Sequence, residues 1–175
     1  VNLFTTSADP AECARHLDDK RVVNQCRETA QMLCTAIRAQ GLHDPSLMRT
    51  AHPHHPVTLW VGRGLGNWSW TFEHFDALGR EKLVRFPGNP AHRNWLELRE
   101  VLTDLARMCL PDRPLEPFVN CTRREDKGID FTWMGDTLEA YRLYLAARWR
   151  TDASAPRFTN RHAPLFYPAP GGRAA

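Results

Sequence analysis

Apolar residues recur at helical spacing along most of this chain. Val22, Cys26, Leu33 and Ile37, with Val23 and Ala30 beside them, form one stripe. Trp95, Leu98, Leu102, Leu105 and Cys109 form a second with 3-4-3-4 spacing, and Leu138, Tyr141, Leu145 and Trp149 a third. Each stripe predicts an amphipathic helix with one face in a core. Asp9-Pro10-Ala11-Glu12 is a strong start signal: the aspartate caps, proline suits the first helical position, and Glu12 can reach back to the cap. That helix is expected to run, with a break near Asp18-Asp19, to Gln40, where Gly41 ends it. Pro56 opens a short helical turn through Val61, and the GRGLG segment interrupts it. A helix resumes near Asn67 and runs to about Phe86, and another begins at Asn89-Pro90 and ends before Pro111. Asp136 caps a last helix over 137–150.

No convincing strand alternation appears. The expected fold is therefore all-α: a compact single domain over 1–170, of four to five helices with long loops. Residues 171–175 are expected to form a disordered tail. The loop after Pro111 is long enough to suggest function or mobility. Phe158, Phe166 and Tyr167 lie among prolines and are expected to cross the body of the fold.

With 175 residues the chain can bury one core, and 42% hydrophobic with 25% charged residues excludes a disordered chain. No apolar run approaches the roughly 18 residues that span a membrane, so no membrane partner is expected. VNLFTTSADP lacks the basic and apolar regions of a secretory signal. The five cysteines, an odd number without a C-x-x-C pair, suggest reduced thiols in a cytoplasmic protein. A net charge of +3 and a pI near 8.7 permit a nucleic-acid partner without demanding one.

Two stretches carry candidate chemistry. On the first long helix Lys20, Asn24, Glu28 and Gln31 form a polar stripe at i, i+4, i+8 and i+11, with Arg27 on its border. Lys20 and Glu28 lie about 12 Å apart along the axis. A lysine partly desolvated in a cleft can attack a sugar C1′ as an amine, and a glutamate beside it can act as acid or base. The bland alternative is a solvated helix face. The second stretch runs from His52 to Phe75. It gathers His52, His54, His55 and His74 with Trp60, Trp68 and Trp70, beside Gly62, Gly64 and Gly66, where backbone can approach a ligand. Its H-x-H-H spacing matches no standard metal signature, so no metal is expected. One histidine is expected to cap the helix at Pro56 and another, His55 above all, to face the cleft. Arg63 and Asn67 are candidate substrate contacts. Trp68 and Trp70 point to different sides of a helix and are not both expected in one core, which leaves Trp70 as a candidate stacking platform for a base. Arg123, Arg124 and Lys127, with Arg157, Arg161 and His162, could add a discontinuous phosphate track.

NLF at the start, DDKRVVNQCRETAQMLCTA, HPHHPVTLW followed by NWSW, and DTLEAYRLYLAARW before an aromatic tail together resemble the pyrimidine-dimer DNA glycosylases of the phage endonuclease V type. The similarity is to a divergent phage and bacterial branch and is spread over most of the chain. The resemblance implies a compact all-α enzyme without metal or cofactor. It flips a nucleotide, attacks the sugar with an N-terminal amine and uses a helix glutamate. Glu28 is the nearest match to that glutamate, Arg27 to a phosphate-binding arginine, and His16 to a histidine early in the first helix. The family nucleophile is a small residue exposed by methionine removal. If methionine stands before Asn2 that amine is displaced, and Lys20 becomes the substitute.

The expected function is a DNA-acting glycosylase or glycosylase/lyase. Glu28 and Lys20 would be catalytic, and Asn24, Arg27, Gln31, His55, Arg63, Asn67 and Trp70 would bind a flipped or single-stranded nucleotide. No protein partner is expected. The alternatives are a phage-type enzyme that modifies DNA bases or nucleotides, with a metal as one option, and a non-catalytic nucleic-acid-binding module.

Overall fold

The computed structural model describes residues 1–168, so the expectation for 171–175 lies outside the described residues. The chain begins α1 (Pro10–His16), α2 (Asp19–Ala39), α3 (Pro56–Val61) and α4 (Leu65–Arg85). It continues with α5 (Arg93–Leu98) and α6 (Leu102–Cys109), a hairpin of β1 (Arg123–Arg124) and β2 (Ile129–Asp130), and α7 (Thr137–Thr151). The protein is mainly helical, as expected, but the described residues hold seven helices where four to five were expected. Three breaks divide them, of which those near Asp18-Asp19 and at Gly62–Gly64 match the expected breaks and the one at Arg99–Val101 does not.

The first break is at Leu17, whose extended backbone (ψ 147°) ends α1, and Asp18 then caps α2 by accepting from the Arg21 N–H. A capping aspartate offers the backbone an alternative to continuing the helix. The second break is Gly62-Arg63-Gly64. The third, at Arg99–Val101, splits the helix expected after Pro90. Leu98 and Leu102 stay buried on either side of it, and both halves pack on α2, so the break bends the pair around that helix.

Helix α2 is the axis of the core. Val22, Cys26, Ala30, Leu33 and Ile37 are wholly buried on one face, against α3, α4, α5 and α6. Helix α4 is sandwiched between α1 and α2 and therefore buries two faces. Trp68 donates its indole N–H to the Leu33 carbonyl on the α2 side, and Trp70 donates to the Ala8 carbonyl on the α1 side. Both are in the core, at 2% and 5% exposure, which corrects the expectation that they could not share one.

Gly64 and Gly66 of the histidine-tryptophan stretch serve packing within the chain, whereas a Cβ on Gly62 would meet nothing nearer than 3.6 Å. A Cβ on Gly66 would lie 2.3 Å from the Leu115 nitrogen, and one on Gly64 2.6 Å from the Arg113 Cβ. The backbone that comes close is residues 111–115 of the same chain. It also accepts the Leu65 and Gly66 N–H groups that α4 leaves free at its start.

The loop after Pro111 holds the one sheet among the described residues, an antiparallel pair with Arg123 opposite Asp130 and Arg124 opposite Ile129. Gly128, at φ +63°, closes its turn. The opening residues run beneath this loop: the Asn2 side chain donates to the Cys121 carbonyl and accepts from the Tyr141 hydroxyl. The tail crosses the body as expected, with Phe158, Phe166 and Tyr167 packed around the Trp149 ring at 5.4–5.9 Å. No described helix is long and apolar enough to cross a membrane.

Candidate functional site

The polar stripe of α2 borders a trough of two adjoining cavities. The first, of about 320 Å³, takes Lys20, Asn24, Gln25 and Glu28 from α2, His55 from the turn before α3, and Asn2 from the opening segment. Cys121, Arg123 and Arg124 of the hairpin loop and Tyr144, Arg148 and Asp152 at the end of α7 close its far side. The second, of about 390 Å³, is lined by Asn24, Arg27, Glu28 and Gln31 of α2 with His52 and His92. Val1, Asn24 and Glu28 border both. Lys20, Glu28 and His55 thus meet at one hollow, although they arrive from two separate segments.

Glu28 is half-buried, and its Oε2 accepts from the Gln25 side-chain amide at 2.9 Å. That donor fixes the carboxylate's orientation. Gln25 is itself 5% exposed, and its Oε1 has no hydrogen-bond partner among the described residues. Glu28 makes no ion pair among the described residues, so nothing neutralises it in place.

His55 caps α3, its Nδ1 accepting the Val57 N–H at 3.3 Å. In neutral imidazole this leaves the proton on Nε2, the nitrogen free to donate to a ligand. Burial lowers the His55 pKa, and the charges at Val1 and His52 lower it further. The ring is therefore a neutral donor at pH 7.

The wall at the α7 end is rigid. Arg21, nearly buried, is paired with Asp18 and, at 2.8 Å, with Asp152, while Trp149 donates to Asp18 at 2.7 Å. Arg148 donates to the Tyr144 hydroxyl at 3.0 Å. These bonds lock the start of α2 to the end of α7 across one side of the first cavity.

Several expected site residues are elsewhere. Arg63 is exposed and paired with Glu116 at 3.1 Å, because Gly62–Gly64 turns it toward residues 111–117. Asn67, 1% exposed, spends its amide on the Trp60 carbonyl and its Oδ1 on the Glu116 N–H, which makes it a brace at the α3–α4 junction. Trp70 packs edge-on to Phe118 at 4.8 Å and stacks on His74. These three line neither cavity. Lys20 does line the first but is exposed, so the desolvation expected to release its amine is not met. His16, implied by the resemblance, bonds Thr6 at 2.9 Å and packs on Phe166, outside the trough.

The histidines also disperse. His52 and His54 are exposed, whereas His74 is wholly buried and its Nδ1 donates to the Pro10 carbonyl at 3.0 Å. Among the described residues no group of three His, Cys, Asp or Glu side chains is placed to hold a metal ion.

Gln25, His92, Tyr144 and Arg148 line the trough without having been singled out from the sequence. His92 has a buried Nδ1 with no partner among the described residues, and its pKa is lowered by burial and then by Lys82 and Arg27. A residue that lines this hollow from a distant loop leaves no periodic mark, although Gln25 could have been found from its i, i+3 relation to Glu28. The five cysteines are free thiols. Comparison with protein-family models, with curated proteins and with solved structures finds no match to this chain.

Proposed function

We propose that this chain acts on DNA as a base-excision glycosylase or glycosylase/lyase, with the trough holding a flipped or single-stranded nucleotide. The observation that carries the reading is the convergence on one polar cavity of an oriented carboxylate (Glu28), an amine (Lys20) and a neutral imidazole donor (His55), with Asn24 between the first two on α2. A volume of about 320 Å³ is at the small end of ligand sites and suits one nucleotide better than a duplex. Arg27 stands at the second cavity with no acidic partner among the described residues, positioned for a phosphate.

In this reading the amine nitrogen attacks C1′ as the C1′–N bond to the base breaks, and the base leaves with that electron pair and a proton. Opening of the sugar, with the ring oxygen taking a proton, gives a C1′ imine. The Glu28 carboxylate then removes a C2′ proton, and the 3′ phosphate departs. His55 donates to a phosphate or sugar oxygen and asks for no proton exchange. These roles for Glu28 and Arg27 are the ones that the resemblance to endonuclease V-type glycosylases implies.

Incubation with damaged or abasic duplex followed by borohydride is the test. A covalent adduct is expected with the natural sequence. Glu28→Gln is expected to lower strand cleavage at least about 100-fold. Lys20→Ala separates Lys20 from the amine of Val1, which also lines the trough: if the adduct persists, Lys20 is not the nucleophile. If no lesion yields an adduct, the imine chemistry fails.

The exposure of Lys20 favours a second reading, a nucleic-acid-binding module without turnover. It expects salt-dependent DNA binding that survives Glu28→Gln, with no product at any enzyme concentration.

A further inference from the structure

The carboxylate of Glu28 has one side-chain hydrogen-bond partner among the described residues, the Gln25 amide. The bond takes Oε2 at 2.9 Å, and Oε1 of Glu28 makes none among the described residues. Other polar groups of the first cavity are engaged elsewhere: Arg21 holds Asp18 and Asp152, and Arg148 donates to Tyr144. One oxygen of Glu28 is therefore held and the other is free.

The residue that holds it stands in an interior position. Gln25 shares a line along α2 with Thr29, Met32 and Ala36, at i+4, i+7 and i+11, and these three are 0–1% exposed. A methionine already fills one place on this line. An amide there costs stability, because the Gln25 Oε1 is buried without a partner among the described residues. Turning the amide over gives no relief. It would set an oxygen against the Glu28 carboxylate and leave buried N–H groups unpaired. Packing alone gives no reason for glutamine rather than methionine at position 25, and the cavity that Gln25 lines gives one.

We propose that Gln25 is a positioning residue for the reaction in the first cavity: it fixes one oxygen of Glu28 so that the other is presented to the substrate. This rests on the glycosylase/lyase reading of the trough. A glutamate side chain has several free torsions, and removing a proton from C2′ requires its carboxylate within hydrogen-bond reach. The bond exists before any substrate arrives, so it orients Glu28 and adds no contact to the ligand. Its loss should therefore fall on kcat and not on KM.

The test compares Gln25→Met with the natural sequence, by thermal denaturation and by strand-cleavage kinetics on damaged and abasic duplexes. The Tm is expected to be at least that of the natural sequence, kcat to fall about tenfold or more, and KM to stay within about twofold. Placed on Glu28→Ala, the same substitution is expected to lower single-turnover cleavage no further, since no carboxylate remains to be held. A Tm several degrees lower in Gln25→Met means that the amide supports the fold, and overturns the proposal. An unchanged kcat, or an equal loss in both backgrounds, overturns it too. Each of these results leaves the trough reading standing. If the unaltered chain cleaves neither duplex and yields no borohydride adduct, the trough reading falls and the role of Gln25 with it.

Discussion

His74 shows how much one buried side chain contributes to the conditions under which this fold survives. Its ring is wholly buried between α1 and α4, stacked on Trp70, with Nδ1 donating to Pro10 and Nε2 unpartnered among the described residues. Burial pushes its pKa from 6.5 to about 4. The unfolded chain therefore binds this proton more readily than the folded one between those values. The neutral ring's contribution is full above pH 6.5 and is lost as pH falls through about 4. By linkage it amounts to roughly 3 kcal/mol. His16, His55 and His92 are shifted in the same direction, burial being the first cause of each. Urea midpoints measured from pH 7.5 down to pH 4 are expected to fall steeply. His74→Phe, which keeps a ring on Trp70 but takes no proton, is expected to flatten that fall. An unchanged slope would remove His74 as its cause. At this scale the site was half visible in advance. Lys20, Asn24, Glu28 and Gln31 share a face because 3.6-residue periodicity acts over a few neighbours. Arg63, Asn67 and Trp70 lie away from the trough because their partners, Glu116, Trp60 and Ala8, are set by chain meetings that no local pattern records.

Among the elements, α2 and α4 are held in register by one guanidinium. Arg85, near the end of α4, is fully buried and donates to Glu81, to Asp19 at the first turn of α2, and to the carbonyls of Arg15 and Leu17 at the end of α1. It satisfies the carbonyls that the Leu17 break leaves open and fixes where α2 begins, one residue before Lys20. Thr159 and Arg161 of the tail join the same network through Asp19 and Glu81. Arg85→Met removes one partner from the buried Glu81 and from the part-buried Asp19, strands two carbonyls, and is expected to cost about 3 kcal/mol. That corresponds to a fall in Tm of at least about 6 °C for a chain of this size, read by thermal denaturation. Arg85→Lys is not expected to rescue it, since one ammonium cannot point in four directions across a planar fork's span. Helix starts were legible at this scale: Asp9-Pro10, Pro56 and Asp136 stand where caps and first turns are found. The break at Arg99–Val101 was not, because no proline or glycine marks it and only curvature around α2 requires it.

Across the whole molecule the trough joins segments as distant as Asn2 and Asp152, and its charge is uneven. Arg21, Arg123 and Arg124 are tied to carboxylates, whereas Lys20 and Arg27 have no acidic partner among the described residues. DNA affinity is therefore expected to fall with salt through these two side chains. Lys20→Ala and Arg27→Ala should each reduce the slope of log affinity against log salt by about 1, while Arg123→Ala should change it less. Slopes measured by anisotropy over a salt series decide this, and equal effects from all three would mean that hairpin pairs open on binding. Capping residues, prolines and apolar spacing already dictate that this chain is helical, where most helices start, and which α2 side chains stand in line, since each of those signals acts between close neighbours. Whether that line looks onto open water or onto a hollow is another matter. It depends on the opening segment, the His55 turn, the hairpin and α7 arriving over it, and their arrival is settled by the fit of buried surfaces far apart in the chain, which no periodicity encodes.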